Sequence, residues 1–473
     1  MSKSSVPVAA PKTLRYEQDA GLPVAIEARS NRRSFYPSNG NIFSPTGTNV
    51  LRMNLNSNSF LDFSHSYLQF TLRNTSGHRL QTDMGVPFFS RLQIMSGGQE
   101  LEDIVEWSRL YSTLLCAQGS VAGANEQSLT SQGKDTEYIA DAGEWTTTAA
   151  TDAELNAAMD RRNPNIHKPV PAAAAVVSTG TIQDGASVTY NVPIMSGIFN
   201  IEKYFPLLLT DQGLDLYFTL NPALEIGIWD GAAATYEINS AKYVAHEVNL
   251  DDSFVNQMKA SMQATGGLLS LSSTTYRYYQ LQGATTTQED HNISCRVKSL
   301  KGMIVRPQRN DLQNDRTKFA ISSSTPCGIN EVQFRIGSVL YPQESIKFSN
   351  ENKGELFQEI RKCFGTIGSH NHGSLLNNAT VHQEADETVG AGGATFGTGA
   401  TKRQHFMIAY DFETFAKSAT ESGINVSDRA LPVTLTLKKT GVANQMQVAR
   451  YDVWAMCDCI IYIDLMGKIS TRI

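Results

Sequence analysis

Charge is scarce in this sequence: only 18% of its residues are Asp, Glu, Lys or Arg, against about 25% in an ordinary soluble protein. That leaves a surface made polar by hydroxyls and amides, or an exterior largely covered by partner subunits, because interface cores are depleted in charge. An excess of positive charge is missing too. The 40 Lys and Arg against 46 Asp and Glu give a net charge of −6, which excludes a protein whose main task is to coat nucleic acid. The six cysteines, Cys116, Cys295, Cys327, Cys363, Cys457 and Cys459, follow no metal or disulfide-framework spacing and read as free thiols of a reducing compartment. Cys457 and Cys459 form a CxC whose two side chains share one strand face, with Asp458 on the other. No run approaches the roughly 20 apolar residues that span a bilayer, and the opening MSKSSVPVAAPK lacks the apolar core of a signal peptide. Export and membrane spanning are therefore not expected, and the glycosylation patterns at Asn74, Asn292, Asn378 and Asn425 read as chance matches.

Catalytic signatures are missing as well. Neither GxSxG nor HExxH occurs, and no histidine stands in a recognisable signature beside a Ser or Cys nucleophile. The cluster His370, His372, His382, Glu384 and Asp386 has a cupin-like spacing, but its Gly, Ser and Asn surroundings read as a solvated loop rather than neighbouring strands. In GAGGATFGTGATKR, residues 390–403, the spacing from Gly392 to Gly397 fits a phosphate loop, yet Thr398 stands where the lysine must be. The pairs Asp251/Asp252 and Glu100/Glu102 fit a helix cap and a strand face. The expectation is no enzyme, no cofactor and no bound metal.

What is present is alternation. The chain has 473 residues with 41% hydrophobic content, room for roughly three domains or two large all-β ones. Leu51, Met53 and Leu55 interleave with Arg52, Asn54 and Asn56, and Leu68, Phe70 and Leu72 with Gln69, Thr71 and Arg73, the period of half-buried strands. Leu92 and Ile94 run into Ser96-Gly97-Gly98-Gln99, a hairpin signal, after which Trp107, Leu110, Tyr111 and Leu114 fall at helical spacing. Residues 118–185, rich in Ala, Thr, Ser and Gly, read as a long surface excursion. Strands resume at Val188, Tyr190 and Val192, at Leu214–Leu220 and at Tyr243–Val248. Residues 251–263 open on Asp caps and fit a helical connector, with a boundary at Gly266-Gly267.

The second half repeats this grammar. Val332, Phe334 and Ile336, the turn at Gly337-Ser338, Val339–Pro342 and a helix at about Gly354–Phe364 match the run from Leu92 to Leu115. The passage through Ser422-Gly423-Ile424 to Leu431–Leu437 matches Ser196-Gly197-Ile198 leading to Leu214–Leu220. Two matches in one order indicate a duplicated all-β domain. Many short strands without a βαβ rhythm give an all-β fold of two tandem sandwiches. Jelly rolls are the sandwich that commonly tolerates long excursions at one end, since closure entropy grows only as the logarithm of loop length. The expected division is an N-terminal arm over 1–45, a first jelly roll over 46–263 with the 118–185 insertion, and a second over 264–473 with a surface loop at 368–403. Arg29, Arg32 and Arg33 in the arm, beside Phe35 and Tyr36, suit packing under its own or a neighbouring subunit, or contact with phosphates.

The run from Asn49 to Ser76, RLQIMSGGQELEDIVEWSRLYSTLL (91–115) and the block from Pro193 to Leu207 together resemble the double jelly-roll major capsid proteins of virophages and polinton-like double-stranded DNA viruses. FRIGSVLYPQ (334–343), residues 411–437 and RYDVWAMCDCIIYIDLMGKI (450–469) resemble the second roll and its last strands. The resemblance implies a chain that trimerises into pseudo-hexagonal capsomers and tiles an icosahedral shell. Its partners would be neighbouring capsomers and a minor penton protein. The excursions would form an outer tower, and residues 1–45 would run beneath the shell toward genome or inner membrane. It implies a virion component made in the host cytoplasm. Two other readings stand beside it: a single jelly-roll capsid protein of another lineage, and a carbohydrate-binding β-sandwich.

Overall fold

The structure is a computed structural model. It describes residues 28–118 (without 79 and 83–87), 182, 184–310 (without 202, 230–232 and 265), 321, 324–365 (without 350), 376, 381 and 405–473 (without 415–421, 429–430, 443–445 and 447). The first half contains β1 (Ala28–Phe35), β2 (Ile42–Phe43), β3 (Val50–Leu55), β4 (Phe60–Asn74), β5 (Leu80–Thr82), β6 (Phe89–Ser96) and β7 (Gln99–Val105). Helix α1 (Trp107–Gln118) follows, then β8 (Ser187–Val192), β9 (Phe205–Pro206), β10 (Leu214–Leu220), β11 (Gly227–Trp229) and β12 (Tyr236–Leu250). Helix α2 (Asp252–Ala264) connects to β13 (Leu268–Gln282), β14 (Gln288–Ile293), β15 (Leu300–Arg309), β16 (Ile329–Ile336) and β17 (Val339–Lys347). After helix α3 (Gly354–Cys363) come β18 (Ile408–Asp411), β19 (Val433–Lys439), β20 (Val448–Asp464) and β21 (Ile469–Arg472).

The sheet order is the same in both halves. In the first, β1-β12-β4-β8 faces β3-β10-β6-β7; in the second, β13-β20-β15-β18 faces β14-β19-β16-β17. All of these pairings are antiparallel. Two four-stranded sheets connected in this order are a jelly roll, and the chain holds two of them in tandem. The reading of a single jelly roll with a projecting domain is thereby overturned. Each half also places a helix after its hairpin, α1 after β7 and α3 after β17, where the repeated grammar expects one.

Alternation builds the cores. Leu51, Met53 and Leu55 of β3 face Leu214, Leu216 and Phe218 of β10, all fully buried. Phe89, Trp107 and Phe218 meet with ring centroids 5.3–6.2 Å apart. The hairpin turn places Gly97 and Gly98 at φ 56° and 78°, the left-handed pair that a two-residue turn of this twist requires. Strand β20 is different: every residue from Tyr451 to Cys459 is buried, because one face lines the second core while the other meets the first roll. Its sequence accordingly shows no alternation, with Asp452 and Asp458 the buried charges among its apolar residues.

The arm expected over residues 1–45 is corrected at its C-terminal part. Ala28–Phe35 is an edge strand paired residue for residue with β12, from Ala28 opposite Leu250 to Phe35 opposite Tyr243, and Ile42–Phe43 pairs with β12 at its other end. Alternation fails to announce β1 because its residues up to Arg33 are exposed on both faces. Pairing runs Ser187 against Arg73 and Arg73 against Glu237, so β8 enters the sheet at the end of the first roll opposite to Ala28. Residues 1–27, most of 118–185 and most of 368–403 lie outside the described residues.

Candidate interaction sites

The two rolls meet at a buried polar junction. Leaving β7, the chain turns at Glu106, whose φ is 53°, and enters α1. Arg109 of α1 is buried to 1% side-chain exposure. Its Nε lies 2.9 Å from Glu106 Oε2 and 3.9 Å from Asp452 Oδ2, and its Nη2 3.4 Å from Glu225 Oε2. Nη1 donates to Gln308 Oε1 on β15. Arg450 of β20 closes the circuit, 2.9 Å from Glu106 and 3.0 Å from Asp452. Tyr278 donates to Asp452 at 2.7 Å, and Trp454 donates through its indole N–H to the Val105 carbonyl at 3.2 Å. Burial pushes the Asp452 carboxyl up, and the guanidinium groups of Arg109 and Arg450 pull it back only in part. Burial alone would lower Arg450, but Asp452 and Glu106 hold it well above its ordinary value. Charges paired in this way fix orientation more than they add stability.

A second tie lies along the same seam. Glu102 on β7 accepts from the Gly197 and Ile198 N–H groups at 2.9 and 3.3 Å and from Thr275 Oγ1 of β13 at 2.7 Å. Ser273, also on β13, donates to the Gly197 carbonyl. A Cβ at Gly197 would stand 2.4 Å from the Thr274 carbonyl oxygen, so only glycine lets the first roll's turn approach the second roll's strand. The matched Ser422-Gly423 sits as tightly in its own roll, with a Cβ at Gly423 falling 2.5 Å from the Leu300 oxygen. Burial raises the Glu102 carboxyl despite the donors around it, Thr275, Gly197, Ile198 and Ser196. Glu102 is thus more than the strand-face residue its spacing suggested; its partners lie 95 and 173 residues away in sequence.

Of the residues singled out in the sequence, Arg29, Arg32 and Arg33 come together on exposed β1. Arg32 donates to the Tyr67 hydroxyl at 2.7 Å, and Arg33 lies 3.7 Å from buried Glu247. Asp251 caps α2, its carbonyl accepting from the Phe254 N–H at 3.1 Å. Cys457 and Cys459 are both buried in β20 while Asp458 bonds Ser299 at 2.5 Å. Burial pushes the Cys459 thiol up to about 12, which leaves it unreactive near neutral pH. His370, His372, His382, Glu384, Asp386 and the glycine-rich 390–403 stretch lie outside the described residues. Among the described residues no group of three His, Cys, Asp or Glu side chains could hold a metal ion, and no helix is long and apolar enough to cross a membrane.

No family model matches the sequence, and no curated protein does. Solved structures do. The Faustovirus major capsid protein is similar over 95% of this chain and 93% of its own, with a TM-score of 0.55 at 8% identity. A chain of the PBCV-1 virus capsid matches over 96% and 98%, at a TM-score of 0.54 and 11% identity. A chain in the Sputnik virophage structure matches over 100% and 95%, again at 0.54 and 11%. At these identities the likeness is one of fold, and it extends over both jelly rolls of the chain.

Proposed function

We propose that the chain is a major capsid protein that trimerises into pseudo-hexagonal capsomers and builds an icosahedral virion shell. The observation that carries this reading is the seam between the rolls. Within one chain, β7 and the turn at 196–200 of the first roll pack on β13 of the second. The strands at equivalent positions, β17 of the second roll and β1 of the first, have no such partner among the described residues. They are exposed, with Val339 at 50% and Leu340 at 40% on β17. Joining β17 of one copy to β1 of the next repeats the internal contact between molecules, and three copies close a ring of six sandwiches. The low charge content suits a surface that is largely covered.

In this reading the 118–185 and 368–403 segments face outward as a tower. Arg29, Arg32 and Arg33 stand at the opposite end, where they contact the adjoining copy and, weakly, genome or an inner membrane. The second roll begins at 264, and the first takes in residues from 28 rather than 46. Neighbouring capsomers and a minor penton protein are the partners, and synthesis in the host cytoplasm precedes incorporation into the virion. Size-exclusion chromatography with light scattering tests the assembly unit: the expected mass is three times 51.9 kDa, with shells in micrographs of concentrated material. A monomer at all concentrations sinks the proposal.

A further inference from the structure

We propose that helix α3 of one copy seats in a groove on the outer face of β12 and β4 of the next copy, where its Glu355 pairs with Lys242. The inference rests on the ring described above and deepens it, naming the side chains that set the contact between copies. The two halves of the chain supply the template. Leu110, Tyr111 and Leu114 of α1 match Leu356, Phe357 and Ile360 of α3 in spacing, and Leu110, Leu114, Leu356 and Ile360 are all buried. That match sets Glu355 at the position of Arg109. Every residue of α1 from Trp107 to Leu114 is buried, because the second roll covers the helix through Arg306, Gln308 and Asp452. Helix α3 has no such cover among the described residues: Glu355, Gln358 and Lys362 are exposed along one side of it, at the spacing of a single helix face.

The receiving surfaces match as the helices do. In the second roll Arg450 precedes the fully buried Tyr451 and stands opposite Gln308. In the first, Lys242 precedes the fully buried Tyr243 and stands opposite Gln69. The Arg450 site is filled within the chain by Arg109 and Glu106. At the Lys242 site lies a groove of about 620 Å³, beside Tyr36, Ile42, Gln69 and Thr71. Tyr36 is 67% exposed and Ile42 60%, apolar surface that one copy leaves in water and an adjoining copy covers. Charge selects what fills the groove. Lys242 is the one charged residue lining it, and the helix of the adjoining copy brings a glutamate where α1 brings an arginine. Neither Glu355 nor Lys242 has an ion-pair partner within one copy among the described residues. The contact between copies is thus the internal seam repeated with the helix charge reversed, which fixes the register of one copy on the next.

Charge reversal on the full chain tests the pairing, read by light scattering over a dilution series. Glu355→Lys and Lys242→Glu each set like charges against one another at all three contacts. Each raises the concentration at which half of the trimer dissociates by about tenfold or more. Lys242→Gln, which only removes a charge, raises it less. The double reversal, Glu355→Lys with Lys242→Glu, brings it back to within about threefold of the parent. Circular dichroism melts of the diluted monomers check that every variant folds. A trimer indifferent to both single reversals overturns the pairing and leaves the ring in place, as does one that they weaken and the double reversal fails to restore. Parent protein that stays monomeric at all concentrations removes the ring itself, and the pairing with it.

Discussion

At the scale of single residues, the seam between the rolls holds the largest energetic stakes. Arg109 is surrounded by Glu106, Glu225 and Asp452, so Arg109→Met removes one partner and leaves buried carboxylates facing each other. The expected cost is about 3–5 kcal/mol, read as a shift of the urea midpoint with the unfolding slope unchanged. Glu102 sets a pH dependence. Because its folded value is raised, the folded state holds the proton more tightly than the unfolded chain, whose carboxyl titrates near about 4.3. Stability from this group is full below that value and is lost as pH rises through the folded one, with a slope of at most about 1.4 kcal/mol per pH unit. Glu102→Gln should flatten the curve of melting temperature against pH above 4.3; an unchanged slope would show that other groups carry it. Neither residue's partners could be read from the sequence: Glu102 stood out only as a strand-face acid. Arg109 looks like the polar position of an amphipathic helix, and its partner Asp452 lies in the other roll.

At the scale of elements, the turns were legible because their chemistry is local, while close approaches between distant elements were not. Gly98 has φ 78° with nothing near a notional Cβ, so Gly98→Ala pays only left-handed strain of about 1–2 kcal/mol. Gly197 has ordinary helical φ, yet Gly197→Ala must displace the Thr274 carbonyl oxygen of β13. It should destabilise more than Gly98→Ala and make the connector around α2 more sensitive to limited proteolysis, by loosening one roll from the other. Equal midpoints for the two variants in thermal melts would refute this. The serine-glycine-isoleucine match between Gly197 and Gly423 was visible as a repeat, but its meaning, one turn clamped to the other roll and one to its own, depends on packing. Strand β1 stayed hidden for the converse reason: an edge strand exposed on both faces has no hydrophobic period to read. The second set of strands, by contrast, followed directly from period.

At the scale of the whole molecule, the identical strand order of the two rolls makes the internal seam a template for contacts between copies. The first roll presents β7 to β13, and that contact buries Glu102 and Thr275. The second roll presents β17, where Val339 and Leu340 remain half exposed beside Leu431. Apolar side chains clustered at such an edge mark an association surface or an aggregation hazard. On the proposed ring, Leu340→Asp places a carboxylate in each of three contacts, all related by the same axis, so the penalty acts three times on closure but not at all on the fold of one copy. The variant should melt within about 0.5 kcal/mol of the parent as a monomer, as exposed substitutions do, yet elute near 51.9 kDa where the parent elutes as a trimer. Asp103→Leu on β7, which breaks the half-buried Arg91 pair away from the new contact, serves as the control and should leave the trimer intact. Retention of the trimer by Leu340→Asp would move the contact between copies off β17 and leave the internal seam without a counterpart.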